Sequence, residues 1–428
     1  MTEREAAAHL LRRATFGPTA DEVDEAERIG VAATLDRLLK PVAGRPPLPA
    51  LGPNPAARLT RESSREQRQQ ANQERQAQVR RLTEWWLDRM VTTDDQLGEK
   101  LLFFWHGHWA TSVQKVRSAP LMLRQLETLR RHGRGPLPPL VDAMVRDPAL
   151  LLWLDGQRNT RKAPNENLSR ELMELFTLGH GGGYTEVDVK EGARALTGWV
   201  VDRRTGAARF DARRHDPGPK TILGQRAAFD AGSYAKLLAE RPETARFVGG
   251  RLWFRFAGPD VPPPADLAGP DTVTTLRRIL TAPAFAQTRG TLVKQPVEWL
   301  VGALRQLGVR PSTLPEAGRR RLLAGLAALD QVPLRPPSVG GWPAGTAWLT
   351  TSALQVRLRV ADTVAGMAAP TALARLSAAP PEGRADALAR LLVVDRWSDR
   401  TGTALTPLAG QPRKLIAAGL VSPEYVVC

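Results

Sequence analysis

The stretch PNENLSRELMELFTLGHGGGYTEVDVKEGARALTGW, residues 164–199, contains two helix signals separated by a run of glycines. Apolar residues recur at helical spacing over 165–178. Gly179 follows as a stop signal, because glycine readily ends a helix in a left-handed conformation. Thr185 precedes the second helical pattern and is suited to cap it, since a threonine hydroxyl accepts a backbone N–H of the first turn. The stretch therefore predicts two helices joined by a glycine-rich loop.

The same periodicity extends through most of the chain on both sides of this unit. Helical patterns cover 5–14 and 272–309. A longer pattern over 61–109 predicts one or two long helices, with a Thr-Asp-Asp break at 93–95. Thr19 is placed to cap a further helix near the start of the chain. These signals predict a mainly α protein.

The expected architecture is a multi-helix globular bundle that forms one domain over residues 1–428. A segment near 200–225 is poor in helix formers, which favours a small hairpin or an irregular insertion there. Five prolines lie within 257–271 and predict a loop or linker. That loop would separate a lobe over 1–256, which holds the candidate site, from a helical lobe over 272–397.

The charge of the chain is strongly basic, with a formal net charge of +16 and a pI of about 10.9. Only nine of the 60 basic residues are lysines, and this arginine bias beside abundant Ala, Gly, Pro and Leu is typical of a GC-rich genome. The densest basic run, 61–81, is mixed with Glu and Gln and indicates a solvated helix face. We therefore expect no specific nucleic-acid partner.

Signals for export or membrane insertion are missing from the sequence. No stretch approaches the ~18 apolar residues that span a bilayer, and the N-terminal stretch carries Glu3 and Glu5 in place of an apolar core. Cys428 is the single cysteine, so no intrachain disulfide can form. We expect a cytoplasmic protein without a transmembrane segment.

The predicted helix over 165–178 presents a charged face. Arg170, Glu171 and Glu174 lie on it by i, i+3 and i+4 spacing. Two carboxylates one turn apart can share a metal ion or raise each other's pKa, and the guanidinium can orient an anionic group. The alternative is a solvated face or a buried salt-bridge network.

Two histidines stand in the motif WHGHW. Imidazole is the commonest metal-binding side chain, so His106 and His108 are candidate metal ligands. On a helix they point to opposite sides, and a ligand pair therefore requires the helix to end at Gly107. Otherwise we expect one histidine to face the polar cluster and the other to pack or cap. The alternative is a pair of structural histidines packed between tryptophans.

Two further motifs contain polar side chains in non-helical sequence. Tyr184, in HGGGYTEVD, is placed to donate a hydrogen bond to a buried carboxylate. His215 and Asp216, in RRHDPGPK, suit a metal ligand or an acid–base pair, and equally suit a loop held by side-chain hydrogen bonds.

Several of these segments resemble a bacterial family known as domain of unknown function 1800. The resemblance is carried by 164–199 and, in chain order, by HLLRRATFGPTADEVD from residue 9, FWHGHWATS from 104, RHDPGPKTILG from 214, KQPVEWLVGALRQLG from 294 and PPSVGGWPAGTAWLTTSAL from 336. It implies a largely α-helical protein and names no reaction.

The preferred hypothesis is a metal-assisted enzyme with a buried cluster of His, Glu and Arg side chains. The candidate metal ligands are His106, His108, Glu171, Glu174 and His215. The candidate catalytic residues are Arg170, Glu171, Glu174, Tyr184 and Asp216. Mixed imidazole and carboxylate ligands suit iron, manganese or zinc. The alternative is a non-catalytic scaffold or partner-binding protein in which these residues form a structural network; the sequence identifies neither a small-molecule nor a protein partner.

Overall fold

A computed structural model describes residues 1–42, 44, 47–202 and 204–428. Helices account for 63% of it, which confirms the mainly α prediction. The α-helices of the first half are α1 Glu3–Ala14, α2 Ala20–Ile29, α3 Val31–Leu39, α4 Arg65–Thr92, α5 Gln96–His108, α6 Val113–Val116, α7 Ala119–His132, α8 Leu137–Val145, α9 Pro148–Trp153, α10 Asn167–Glu171 and α11 Glu186–Ala195. Those of the second half are α12 Ala231–Ala239, α13 Pro242–Phe256, α14 Thr272–Thr281, α15 Pro296–Gln306, α16 Glu316–Ala328, α17 Thr351–Gly366, α18 Pro370–Ser377, α19 Arg384–Leu392, α20 Asp399–Leu405, α21 Pro412–Val421 and α22 Pro423–Val426.

Two antiparallel hairpins occupy the insertion for which one was predicted. Strand β1, Trp199–Val201, pairs with β2, Ala208–Phe210. Strand β3, Lys220–Ile222, pairs with β4, Gln225–Ala227. Arg203, which falls within the predicted insertion, lies outside the described residues.

Helix ends follow the capping signals of the sequence. The Thr19 and Thr185 hydroxyls both accept backbone N–H groups of the first turn, in reciprocal capping boxes with Glu22 and Asp188. The break expected at 93–95 separates α4 from α5. These caps fix where the helices around the site begin.

A single large cluster of buried apolar side chains runs from Leu10 to Val426. Its largest members are tryptophans with at most 2% of their surface exposed: Trp86, Trp105, Trp109, Trp253 and Trp299. Residues 257–271 contain no helix or strand, and the division into two lobes remains a prediction. Within the described ranges, no helix combines the length and the apolar character needed to cross a membrane.

Charged side chains also lie inside this core. Glu298 is 5% exposed and bridges Lys100 and Arg255, with 2.8 Å to each. Both cations are buried too. The bridge joins α15 to α5 and α13, and the latter two helices form walls of the cavity described below.

Candidate functional site

The helix predicted over 165–178 changes its winding halfway along. Residues Asn167–Glu171 are α-helical, and Leu172–Thr177 form a π-helical segment. The backbone N–H of Leu178 donates to the Met173 carbonyl at 2.9 Å, which is an i to i−5 bond. π-Helical turns are rare and frequently occur at functional sites. The prediction of a helix is confirmed, but its regular α winding is corrected.

The two predicted carboxylates lie on either side of this change. Burial raises the pKa of Glu171 above its ordinary value, and the neighbouring charge of Glu174 raises it further. Glu174 Oε1 lies 2.8 Å from Nδ1 of His180, whose side chain is largely exposed. His180 is a partner that the sequence argument missed.

Arg170 points to other carboxylates. Its guanidinium donates to both oxygens of Glu186 at 2.7 Å, and to Glu166 at 3.1 Å. The hydrogen bonds to Glu186 are the largest influence that raises the pKa of Arg170. Arg170 shares the helix face with Glu171 and Glu174, but its guanidinium pairs with Glu166 one turn earlier and with Glu186 on the adjacent helix α11.

Both histidines of the WHGHW motif are buried in α5, and their hydrogen bonds distinguish them. His108 Nε2 lies 3.0 Å from the Phe176 carbonyl, which only accepts, so this nitrogen carries the proton. His106 Nε2 accepts from the Leu334 N–H at 3.2 Å, so its proton sits on Nδ1. Burial lowers the pKa of each to about 3, and both rings are neutral at physiological pH.

The remaining predicted residues have local partners. His215 Nδ1 lies 3.0 Å from the Thr197 carbonyl, and Asp216 accepts from Arg194 Nε at 2.7 Å. These bonds favour a loop held by side-chain hydrogen bonds. Tyr184 lies near enough to the carboxylates that the charge of Glu174, together with burial, raises the pKa of its phenol.

The predicted ligands form several small groups. Glu171, Glu174 and Tyr184 lie together, and His108 reaches the same segment through the Phe176 carbonyl. His106 has its hydrogen-bond partner elsewhere, as described above. Over the described part of the chain, no three His, Cys, Asp or Glu side chains are grouped so that they could hold a metal ion. The arrangement does not fit the metal site expected from the sequence.

A cavity of about 350 Å³ lies beside His108. Helices α5 and α13 and the segment 340–344 form its walls. Its lining residues are Phe103, Phe104, Gly107, His108, Gly250, Arg251, Phe254, Arg255, Gln295, Gly340, Trp342 and Ala344. Four aromatic side chains and two arginines therefore surround the space, and no aspartate or glutamate is among these described residues.

The segment 340–344 reaches α5 through a glycine contact. Gly341 has φ +86°, and a Cβ there would lie 2.5 Å from the Gly107 carbonyl oxygen. Trp342 then stacks on Phe103, with ring centroids 5.6 Å apart, and meets the edge of His106 at 5.5 Å. The motifs WHGHW and PPSVGGW thus build one wall together.

These features define a mainly helical protein with an aromatic, positively charged cavity next to a π-helical carboxylate segment. The chain belongs to the family described as "Protein of unknown function (DUF1800)", whose model matches residues 9–427. The resemblance found in the sequence is thereby confirmed. No curated protein and no solved structure matches the chain.

Proposed function

We propose that this protein binds a small organic anion with a flat apolar body in the cavity beside His108. One observation carries the proposal: the cavity walls combine four aromatic side chains with two arginines and, in the described lining, no carboxylate. Ligand sites are typically apolar concavities with a few placed polar groups, and about 350 Å³ lies within their usual size range. The aromatic walls select the body of the ligand, and the arginines select its charge.

The two arginines have different roles. Arg255 is 6% exposed, and one of its nitrogens donates to Glu298 at 2.8 Å. Its Nη2 has no hydrogen-bond partner within the described chain. Arg251 is exposed at the cavity and forms no ion pair there with a described residue. Arg251 is therefore the cation that contacts an incoming anion, and the buried Arg255 increases the positive electrostatic potential in the cavity.

His108 supplies a hydrogen-bond acceptor in the same wall. Its Nε2 is committed to Phe176, so the unprotonated nitrogen is Nδ1, and this atom has no partner within the described chain. A ligand that carries a hydroxyl or N–H group would satisfy Nδ1 after a small shift of the wall. In an enzyme that acts on this ligand, His108 would be the lining histidine nearest to the reaction.

The metal-assisted enzyme predicted from the sequence is a separate hypothesis, and the positions of the described His and carboxylate side chains do not support it. Elemental analysis of the purified protein tests it directly. The cytoplasmic location and the lack of a specific nucleic-acid partner also remain predictions. The scaffold alternative is favoured if no small molecule binds the cavity.

Calorimetric titration with benzoate, its neutral isostere benzamide, and acetate tests the proposal. We expect benzoate to bind at least about tenfold more tightly than benzamide, because a charged hydrogen bond contributes about 1.5–3 kcal/mol. Acetate lacks the flat body and should bind more weakly than benzoate. Equal affinity for benzoate and benzamide, or no binding of either, would overturn the proposal.

A charge reversal localises the binding. Arg251→Glu should lower benzoate affinity by about tenfold or more, since the exposed cation becomes an anion. Arg226→Glu makes the same change in net charge on strand β4, at another exposed arginine, and should leave the affinity unchanged. If both variants weaken binding equally, the effect comes from net charge and not from the cavity.

A further inference from the structure

Exposed leucines are concentrated around the start of α17. Leu349, Leu354 and Leu358 are 47%, 52% and 54% exposed. They are three of the eight large apolar side chains that are exposed in the described chain, and they lie within ten residues of one another. Leu354 and Leu358 are one helical turn apart and share a face. Clusters of this kind on a soluble protein usually mark an interaction surface.

A shallow groove continues this face between α17 and α21. Its volume is about 480 Å³. The lining residues are Leu358, Arg359, Asp362, Leu408, Lys414, Ala417 and Ala418. The floor is therefore apolar and contains small alanines, which leaves room for an inserted leucine side chain.

The rim of the groove carries both signs of charge. Arg359 and Asp362 are exposed and three residues apart on α17. Neither forms an ion pair with any described residue. A surface with an exposed cation and an exposed anion side by side is complementary to a copy of itself.

We propose that α17 forms the interface of a homodimer, in which it packs antiparallel to α17 of the partner subunit with the two-fold axis at the level between Val360 and Ala361. This register places Arg359 beside Asp362 of the partner subunit, and the reverse pair follows by the two-fold symmetry. Leu358 then meets the groove of the partner subunit. Leu354 lies at the level of Met367 of the partner subunit, next to Gly366 of the partner subunit, where an added Cβ would meet nothing within 4 Å.

A second copy explains the charge pattern better than a partner of a single sign. An acidic peptide would leave Asp362 facing like charge, and a basic one would do so for Arg359; like charges at an interface disfavour the wrong partner. A partner that carries both signs of charge, as a second copy does, can satisfy Asp362 together with the two cations of the groove, Arg359 and Lys414.

Sedimentation velocity over a concentration series tests the proposal on the full chain. We expect a monomer–dimer equilibrium, and Leu358→Asp should shift it to the monomer. Val187→Asp introduces the same charge at another exposed apolar residue, on α11, and should leave the equilibrium unchanged. A wild-type chain that sediments as a monomer at every soluble concentration would overturn the proposal.

Exchange of the charges at positions 359 and 362 distinguishes this interface from nonspecific association. Arg359→Asp and Asp362→Arg should each weaken the dimer, because each places like charges opposite one another. The double variant R359D/D362R should restore it, and an equimolar mixture of the two single variants should form a heterodimer. If the double variant dimerises no better than the single ones, the antiparallel register is wrong.

Discussion

The backbone N–H of Leu334 donates a hydrogen bond to Nε2 of His106 at 3.2 Å, across 228 residues of sequence. Leu334 has φ +70°, a left-handed conformation that costs a non-glycine residue roughly 1–2 kcal/mol. Its carbonyl accepts from the Val113 N–H at 2.9 Å. Both polar backbone groups of this strained residue are thus held by the region around α5, and His106 acts as a structural anchor.

His106→Phe should lower the free energy of unfolding by about 1–3 kcal/mol, because it leaves the buried Leu334 N–H without an acceptor. The phenyl ring preserves most of the packing against Trp86 and Trp342. Urea denaturation measures the change. His180→Gln, at a largely exposed histidine, should change stability by no more than about 0.5 kcal/mol. Equal effects of the two substitutions would contradict the anchoring role.

Arg117 ends α6 in a left-handed conformation, with φ +56°. The side chain is exposed and forms no ion pair with a described residue, so little is lost when it is removed. Arg117→Gly should therefore raise the free energy of unfolding by about 0.5–1 kcal/mol. Arg117→Val should lower it, because a β-branched residue tolerates this conformation poorly. Thermal unfolding of the two variants and the wild type shows whether each substitution raises or lowers stability.

Stability should fall steeply in acid. Burial lowers the pKa of His9, His106 and His108 to about 3, whereas burial raises the pKa of Asp147 to about 6. Between about pH 6 and pH 4 the unfolded chain binds three imidazole protons that the folded chain does not, and the folded chain holds one on Asp147. Unfolding then takes up about two protons, and these four groups contribute a loss of about 3 kcal/mol per pH unit as pH falls.

His9→Gln reduces by one the number of protons that the chain takes up when it unfolds in acid. The slope of unfolding free energy against pH should decrease by about 1.4 kcal/mol per pH unit between pH 6 and 4, and it should match that of the wild type at pH 8. Chemical denaturation at a series of pH values measures both slopes. An unchanged acid slope would mean that His9 is protonated in the folded chain.

The sequence predicted the helices well where local signals decide them. Thr19 and Thr185 cap their helices because a hydroxyl placed before an apolar pattern can accept a backbone N–H of the first turn. Residues 93–95 separate α4 from α5, as their Thr-Asp-Asp sequence predicted. The π-helical winding of Leu172–Thr177 has no comparable signal. One extra residue in a turn alters neither composition nor local propensity, so tertiary packing selects it.

The site was predicted only in part, because its contacts join distant segments. Helical spacing placed Glu171 and Glu174 on one face correctly, but it could not show that Arg170 binds Glu186, which lies on the next helix. His180 was missed although Gly179 offered a signal: its φ of +81° turns the chain back over the helix end. The cavity required three separated motifs to meet, and no single motif contains it.

Gly250 offers a test of the cavity that does not remove a wall residue. A Cβ added there would meet nothing within 4 Å, and Gly250 lies within helix α13. Gly250→Ala should raise the free energy of unfolding by about 0.5–1 kcal/mol and retain benzoate binding. Gly250→Phe fills the space and should weaken benzoate binding by at least about tenfold. If the phenylalanine variant folds and binds benzoate normally, the ligand site is elsewhere.

Removal of one charge from the pair Glu171 and Glu174 should raise the free energy of unfolding at high pH but not at low pH. Burial and the charge of Glu174 raise the pKa of Glu171, so ionisation of Glu171 costs more in the folded chain than in the unfolded one. Glu171→Gln should therefore increase stability at pH 8, by about 0.5 kcal/mol for a partly exposed group, and this gain should vanish below about pH 4, where Glu171 is protonated in both states. Glu174→Gln relieves the same repulsion but also gives up the contact with His180, and should gain less. Urea denaturation of both variants at pH 8 and pH 4 measures this, and a gain for Glu171→Gln that persists at pH 4 would show that packing, and not charge, is responsible.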